Sequence, residues 1–90
     1  MNLINQILDK VEIKEPETDE HGFKFYRDLP AGFRTATIGD IKNSRKGMPY
    51  LVHSWEYDIY ECARRKCDLD RLLAWIVPFV EAGRVYVLED

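Results

Sequence analysis

Apolar positions change spacing along the chain, and each change marks an element. Leu3, Ile4, Ile7, Leu8 and Val11 recur at helical spacing and predict an amphipathic helix, with Asn2 placed to cap it. Glu15 to Gly22 is polar, holds Pro16 and reads as a loop. Phe23 to Tyr26 predicts a short strand that ends at Asp28-Leu29-Pro30. Ala31-Gly32 is a turn, and Phe33 re-enters an apolar environment. Thr37 and Asp40 have the spacing of a capping box. The helix they open must be short, because Asn43 to Gly47 is turn chemistry.

Met48 to Trp55 and Tyr57 to Ala63 predict two strands joined as a hairpin. Pro49 belongs at the start of the first, where its missing N–H is tolerated. Centring the turn on Glu56 and Tyr57 sets His53 opposite Tyr60 and Leu51 opposite Cys62. Leu51, His53, Trp55, Tyr60 and Cys62 then share one face, and Val52, Ser54, Ile59, Glu61 and Ala63 the other.

The last stretch, Asp68 to Asp90, reads as a helix, a glycine stop and a strand. Asp68 or Asp70 caps the helix, and Leu69, Leu72, Leu73, Ile76 and Val80 form its core stripe. Pro78 breaks the hydrogen bond to the carbonyl of Ala74 and predicts a kink. Gly83 stands where a C′ glycine belongs, and Arg84 to Leu88 alternates as a strand. The expected order is α-β-α-β-β-α-β. It makes an α+β domain of about four short, mostly antiparallel strands with helices on one face.

Ninety residues allow one domain, spanning 1–90, with an acidic helix and loop over 1–22 and a sheet-and-helix core over 23–90. The net charge of −3 is unevenly spread. Residues 1–22 hold two basic and six acidic side chains, 23–66 nine and five, and 67–90 two and five. Only the middle can attract a polyanion, and a pI near 5.4 does not suit a general nucleic-acid binder. No targeting segment or bilayer-length apolar run is visible, so a cytoplasmic location without a membrane partner is expected. Cys62 and Cys67 are then expected as free thiols.

Three kinds of chemistry compete. Cys62, Cys67, His21 and His53 could form a metal set, but the cysteines are five positions apart and diverge in a strand. No metal, cofactor or small-molecule ligand is expected. A thiol or hydrolytic enzyme would need His53 against Cys62 with Asp58 nearby. Neither a nucleophile elbow nor a glycine-rich oxyanion loop accompanies them, so the chain is read as non-enzymatic. Nucleic-acid binding has more support. Lys42, Arg45 and Lys46 precede the hairpin and Arg64, Arg65 and Lys66 follow it, so they meet at one end near Tyr50 and Tyr60.

The first expectation is protein association. Trp75, Phe79 and Ala82 make a second apolar stripe on the last helix, outside the core stripe. Either a partner, including a second copy of the chain, covers it, or the helix at Leu3 to Val11 does.

Leu29-Pro30-Ala31-Gly32-Phe33-Arg34-Thr35-Ala36-Thr37 and Gly47-Met48-Pro49-Tyr50-Leu51-Val52 resemble segments of short uncharacterised proteins of bacterial phages and mobile elements. The closing helix-Gly-strand is similar too, so the resemblance runs loosely over 28–90. It implies a small bacterial or phage cytosolic protein and assigns no site residue.

Overall fold

Turn chemistry sets the first strands. Asp19 accepts backbone hydrogen bonds at Oδ1 from His21 (2.8 Å) and Phe23 (2.9 Å), and Gly22 takes φ +85°. This Asx turn folds Glu17–Thr18 (β1) antiparallel against Lys24–Tyr26 (β2). The computed structural model describes residues 15–89. The helix expected over Leu3 to Val11 lies outside them.

The remaining elements are Phe33–Thr35 (β3), Ile38–Lys42 (α1), Pro49–Ser54 (β4), Ile59–Arg64 (β5), Leu69–Glu81 (α2) and Val85–Leu88 (β6). The strands form one sheet in the order β1-β2-β5-β4-β6-β3, and every pairing is antiparallel. The α+β class holds, but the described residues contain six strands where about four were expected. The loop reading of Glu15 to Gly22 missed β1, because two residues are too few to show alternation. The pattern shows Phe33 only as a return to apolar surroundings. It begins β3, which becomes a strand by pairing with β6, over fifty residues away (Phe33 with Leu88, Thr35 with Tyr86).

The hairpin register agrees with the pattern. His53 pairs with Tyr60 and Leu51 with Cys62. Pro49 opens β4 as expected. The four residues from Trp55 to Asp58 make the turn, with Asp58 at φ +52° where a glycine is usual.

Both described helices pack on the same face of the sheet. Leu72, Ile76 and Val80 of α2 and Ile41 of α1 cluster with Tyr50, Val85, Val87 and Ala36. Leu69 and Leu73 pack at the margin of that cluster, completing the predicted core stripe. Leu51, Cys62, Tyr60, His53 and Tyr86 point to the opposite face, as the pairings require.

The helix ends are built as their residues suggest. Thr37 Oγ1 accepts from the Asp40 N–H (3.2 Å), and the Asp40 carboxylate accepts from the Thr37 N–H (2.7 Å). Asp68 is the N-cap of α2, without a side-chain cap bond. The α2 C-terminus closes as a Schellman motif: Gly83 N–H donates to Val80 O (2.9 Å) and Arg84 N–H to Phe79 O (2.9 Å). Gly83 takes φ +71°, which frees the chain to return as β6. The helix runs on through Pro78, which has no N–H to donate to the carbonyl of the exposed Ala74.

Candidate interaction surface

The α2 stripe outside the core carries the candidate site. Trp75 is 43% exposed, Phe79 is half-buried and Ala82 is exposed. Trp75 and Phe79 meet edge to face with centroids 6.1 Å apart, and Trp75 also leans towards Tyr50 at 6.5 Å. Phe79 additionally packs against the main cluster, so it anchors the stripe while Trp75 projects from it.

Two further residues extend this surface. The Arg84 guanidinium lies 4.8 Å from the Phe79 ring centre and 4.5 Å from that of Trp55. Its Nε donates to His53 O (3.0 Å), and the His53 N–H donates to Arg84 O (2.8 Å), so it is held by side chain and backbone together. Trp55, at 65% exposure, therefore joins the α2 side. The alternation places it with Leu51 and His53. The strand ends at Ser54, so Trp55 is a turn residue and escapes the alternation. No periodicity in the sequence could show this stacking. A cue existed only in Arg84, which Gly83 brings back towards its own helix. The result is a continuous row, Tyr50–Trp75–Phe79–Arg84–Trp55, buried at one end and open at the other.

The basic residues converge as expected at the far end of the hairpin. Gly47 N–H donates to Arg65 O (2.7 Å) and Arg65 N–H to Met48 O (3.0 Å), which clamps the two loops. Two of the six cations are themselves part of the clamp. Arg64 donates to Gly47 O (3.0 Å), and Arg65 donates to Ser44 O and Cys67 O. Lys46 lies 3.5 Å from Asp68, while Lys42, Arg45 and Lys66 are exposed.

Of the two aromatics expected there, Tyr50 borders the groove beside this end and Tyr60 does not. Tyr50 is 4% exposed beneath α2, and Tyr60 faces the other side of the sheet nearer the turn. Strand alternation separates them, since Tyr50 pairs with Ala63 and Tyr60 with His53. Phe23, which is exposed, and Tyr26 join the edge of Tyr50 around an open groove of about 660 Å³ with Lys24, Arg64 and Lys66.

His53 and Cys62 share the face opposite the helices in diagonal positions, roughly 7–8 Å apart at the backbone. His53 Nε2 lies 2.8 Å from Asp58 Oδ1, and its ring stacks on Tyr60 at 4.7 Å. The His53 ring is thus held by a carboxylate bond and a ring stack. Burial pushes the Cys62 thiol above its ordinary value, with Lys24 pulling weakly the other way. Cys62 and Cys67 are free and half-buried. Among the described residues, no three His, Cys, Asp or Glu side chains gather into a group that could hold a metal ion. His21 sits apart on the β1–β2 turn beside Glu20. No described helix is long and apolar enough to cross a membrane.

No family model, curated protein or solved structure shows significant similarity to this chain.

Proposed function

We propose that this chain is a non-enzymatic protein-binding module that uses the outer stripe of α2. The observation that carries this reading is Trp75. It is a large aromatic side chain at 43% exposure, set against Phe79 in a helix with no charge between Arg71 and Glu81. Tryptophan, tyrosine and arginine dominate interface energetics, and the row from Trp75 to Arg84 and Trp55 has that composition. Acrylamide quenching of Trp75 in a Trp55→Phe background tests it. Efficient quenching of the dilute, unassociated chain is expected, and a Trp75 protected in the monomer refutes the reading.

A second reading, binding of single-stranded nucleic acid, has its own observation. Phe23 and Tyr26 border the same groove as Lys24, Arg64 and Lys66, which pairs stacking rings with cations. About three phosphate contacts, one for each of these cations, imply a log–log salt slope near −2 for oligonucleotide binding. Absence of binding at low salt removes this reading. The thiol-enzyme reading has the least support. His53 is engaged by Asp58 and Tyr60, and the protonated form of Cys62 is favoured by its burial.

A further inference from the structure

The α2 stripe is lengthened by residues that no core needs. Arg71, Trp75, Pro78, Phe79 and Ala82 stand at i, i+4, i+7, i+8 and i+11, a single line along the helix. All but Phe79 are exposed. Ala74 and Glu81, also exposed, flank the line on one side. The small side chains Ala74 and Ala82 would let a second helix approach closely.

The charges at the two ends are the informative feature. Arg71 lies in the first turn, at the positive end of the helix dipole. Glu81 is the last helical residue, at the negative end, and the last turn has no basic residue. Both placements are unfavourable in an isolated helix. They become favourable if a second α2 lies alongside in the opposite direction. Each Arg71 then reaches the partner's negative helix end and its Glu81. Each Glu81 reaches the partner's positive end. The stripe is complementary to itself.

Resting on the reading of α2 as an interface, we infer that its partner is a second copy of this chain. The two α2 helices run antiparallel about a two-fold axis near Val77. Trp75 of each copy meets Phe79 of the other, and Arg71 pairs with Glu81 across the seam at both ends. A two-fold contact uses the same patch twice, so every pairing occurs in duplicate. The 13 residues of α2 extend only about 20 Å, less than a standard interface of about 800 Å² per partner requires. A dissociation constant on the order of 10 µM is therefore expected.

Sedimentation velocity of the full chain from about 1 to 300 µM tests this, with Arg71→Glu, Glu81→Arg and the double reversal. A concentration-dependent dimer is expected. Each single reversal should weaken it by about tenfold, since it turns two attractions into repulsions, and the double reversal should restore it. All three changes are at exposed positions, so folding is retained. A dimer unmoved by the single reversals, or a double variant no tighter than the singles, overturns the antiparallel pairing. A monomer at every concentration overturns self-association. Trp75 quenching then separates the two levels: an accessible Trp75 leaves the stripe to a different protein, whereas a protected one removes the interface reading as well and points to the chain's own residues 2–13.

Discussion

Replacing Asp40 by Asn probes the best-tied charge in the described chain. Its carboxylate accepts from Arg34 Nη1 (2.7 Å) and Nη2 (2.9 Å), from the Thr37 N–H (2.7 Å) and from Thr37 Oγ1 (3.0 Å). The Arg34 bonds above all, then the Thr37 N–H, hold the Asp40 carboxyl well below the usual carboxylate range. The network ties the start of α1 to edge strand β3. An asparagine keeps one acceptor oxygen and turns an N–H₂ towards a guanidinium or an N–H. The carboxylate's bond to the Thr37 N–H contributes about 1 kcal/mol, while the Thr37 cap of the Asp40 N–H survives the change. The ion pair, with side chains 38% and 23% exposed, is only partly screened and adds about 0.5–1 kcal/mol. Asp40→Asn should therefore cost about 1.5–2 kcal/mol at neutral pH, lowering the midpoint of thermal unfolding by roughly 6–16 °C.

The pH dependence fixes the sign. A carboxyl with a depressed folded-state pKa stabilises fully above its unfolded value, near 3.9, and that contribution fades as pH falls towards the folded value. The deficit of the variant should stay flat from neutral pH to about 4.5 and shrink below it. Guanidinium unfolding of both proteins across this range measures it. A deficit below about 0.3 kcal/mol at neutral pH, or one that widens on acidification, refutes the assigned network.

Three other outcomes follow from geometry already described. Gly83→Ala should destabilise by about 1–2 kcal/mol in chemical unfolding, from backbone strain alone, since φ is +71° and an added Cβ meets nothing within 4 Å. Arg84→Ala should shift Trp55 emission to the red and raise its quenching, because the guanidinium 4.5 Å from the ring is lost; unchanged emission contradicts the stacking. Cys62 should react with iodoacetamide more slowly than an unstructured cysteine at mildly alkaline pH, since burial raises its pKa and thins its thiolate. Equal rates would disprove that burial.

The parts of the fold legible beforehand are those whose signal is local. Thr37 and Asp40 are three residues apart, so their mutual caps could be read from spacing. The β4–β5 register followed from one assumption about a four-residue turn. Leu72, Ile76 and Val80 announced the core face of α2 by periodicity. β3 and β1 had no such signal. Arg34, in the middle of β3, is polar on a strand of three residues, and its partner Val87 lies far along the chain. The candidate surface divides the same way. Trp75 and Phe79 were visible because a helix repeats. Trp55 and Arg84 were not, because a turn and a Schellman end bring them together in space. The basic end was half legible: the cations converge and Tyr50 borders their groove though mostly buried, but Tyr60 does not, and Phe23 and Tyr26 come from a segment that the pattern did not connect with it.

The position of β6 has a consequence for how the chain comes to be folded. It lies between β4 and β3, yet it is the last of the described elements in chain order. Until Val85–Leu88 has been synthesised, β3 has no neighbour, and β4 presents Tyr50, Leu51 and Val52 as an open, apolar hydrogen-bonding edge. Such an edge invites pairing with other chains. Closure of the sheet must therefore await the end of synthesis of this segment. The pairings that complete it span long stretches of sequence, which slows folding relative to a helical protein of equal size. The nascent chain is at its most vulnerable just before β6 emerges, and the β4–β5 hairpin is the piece that must persist until then.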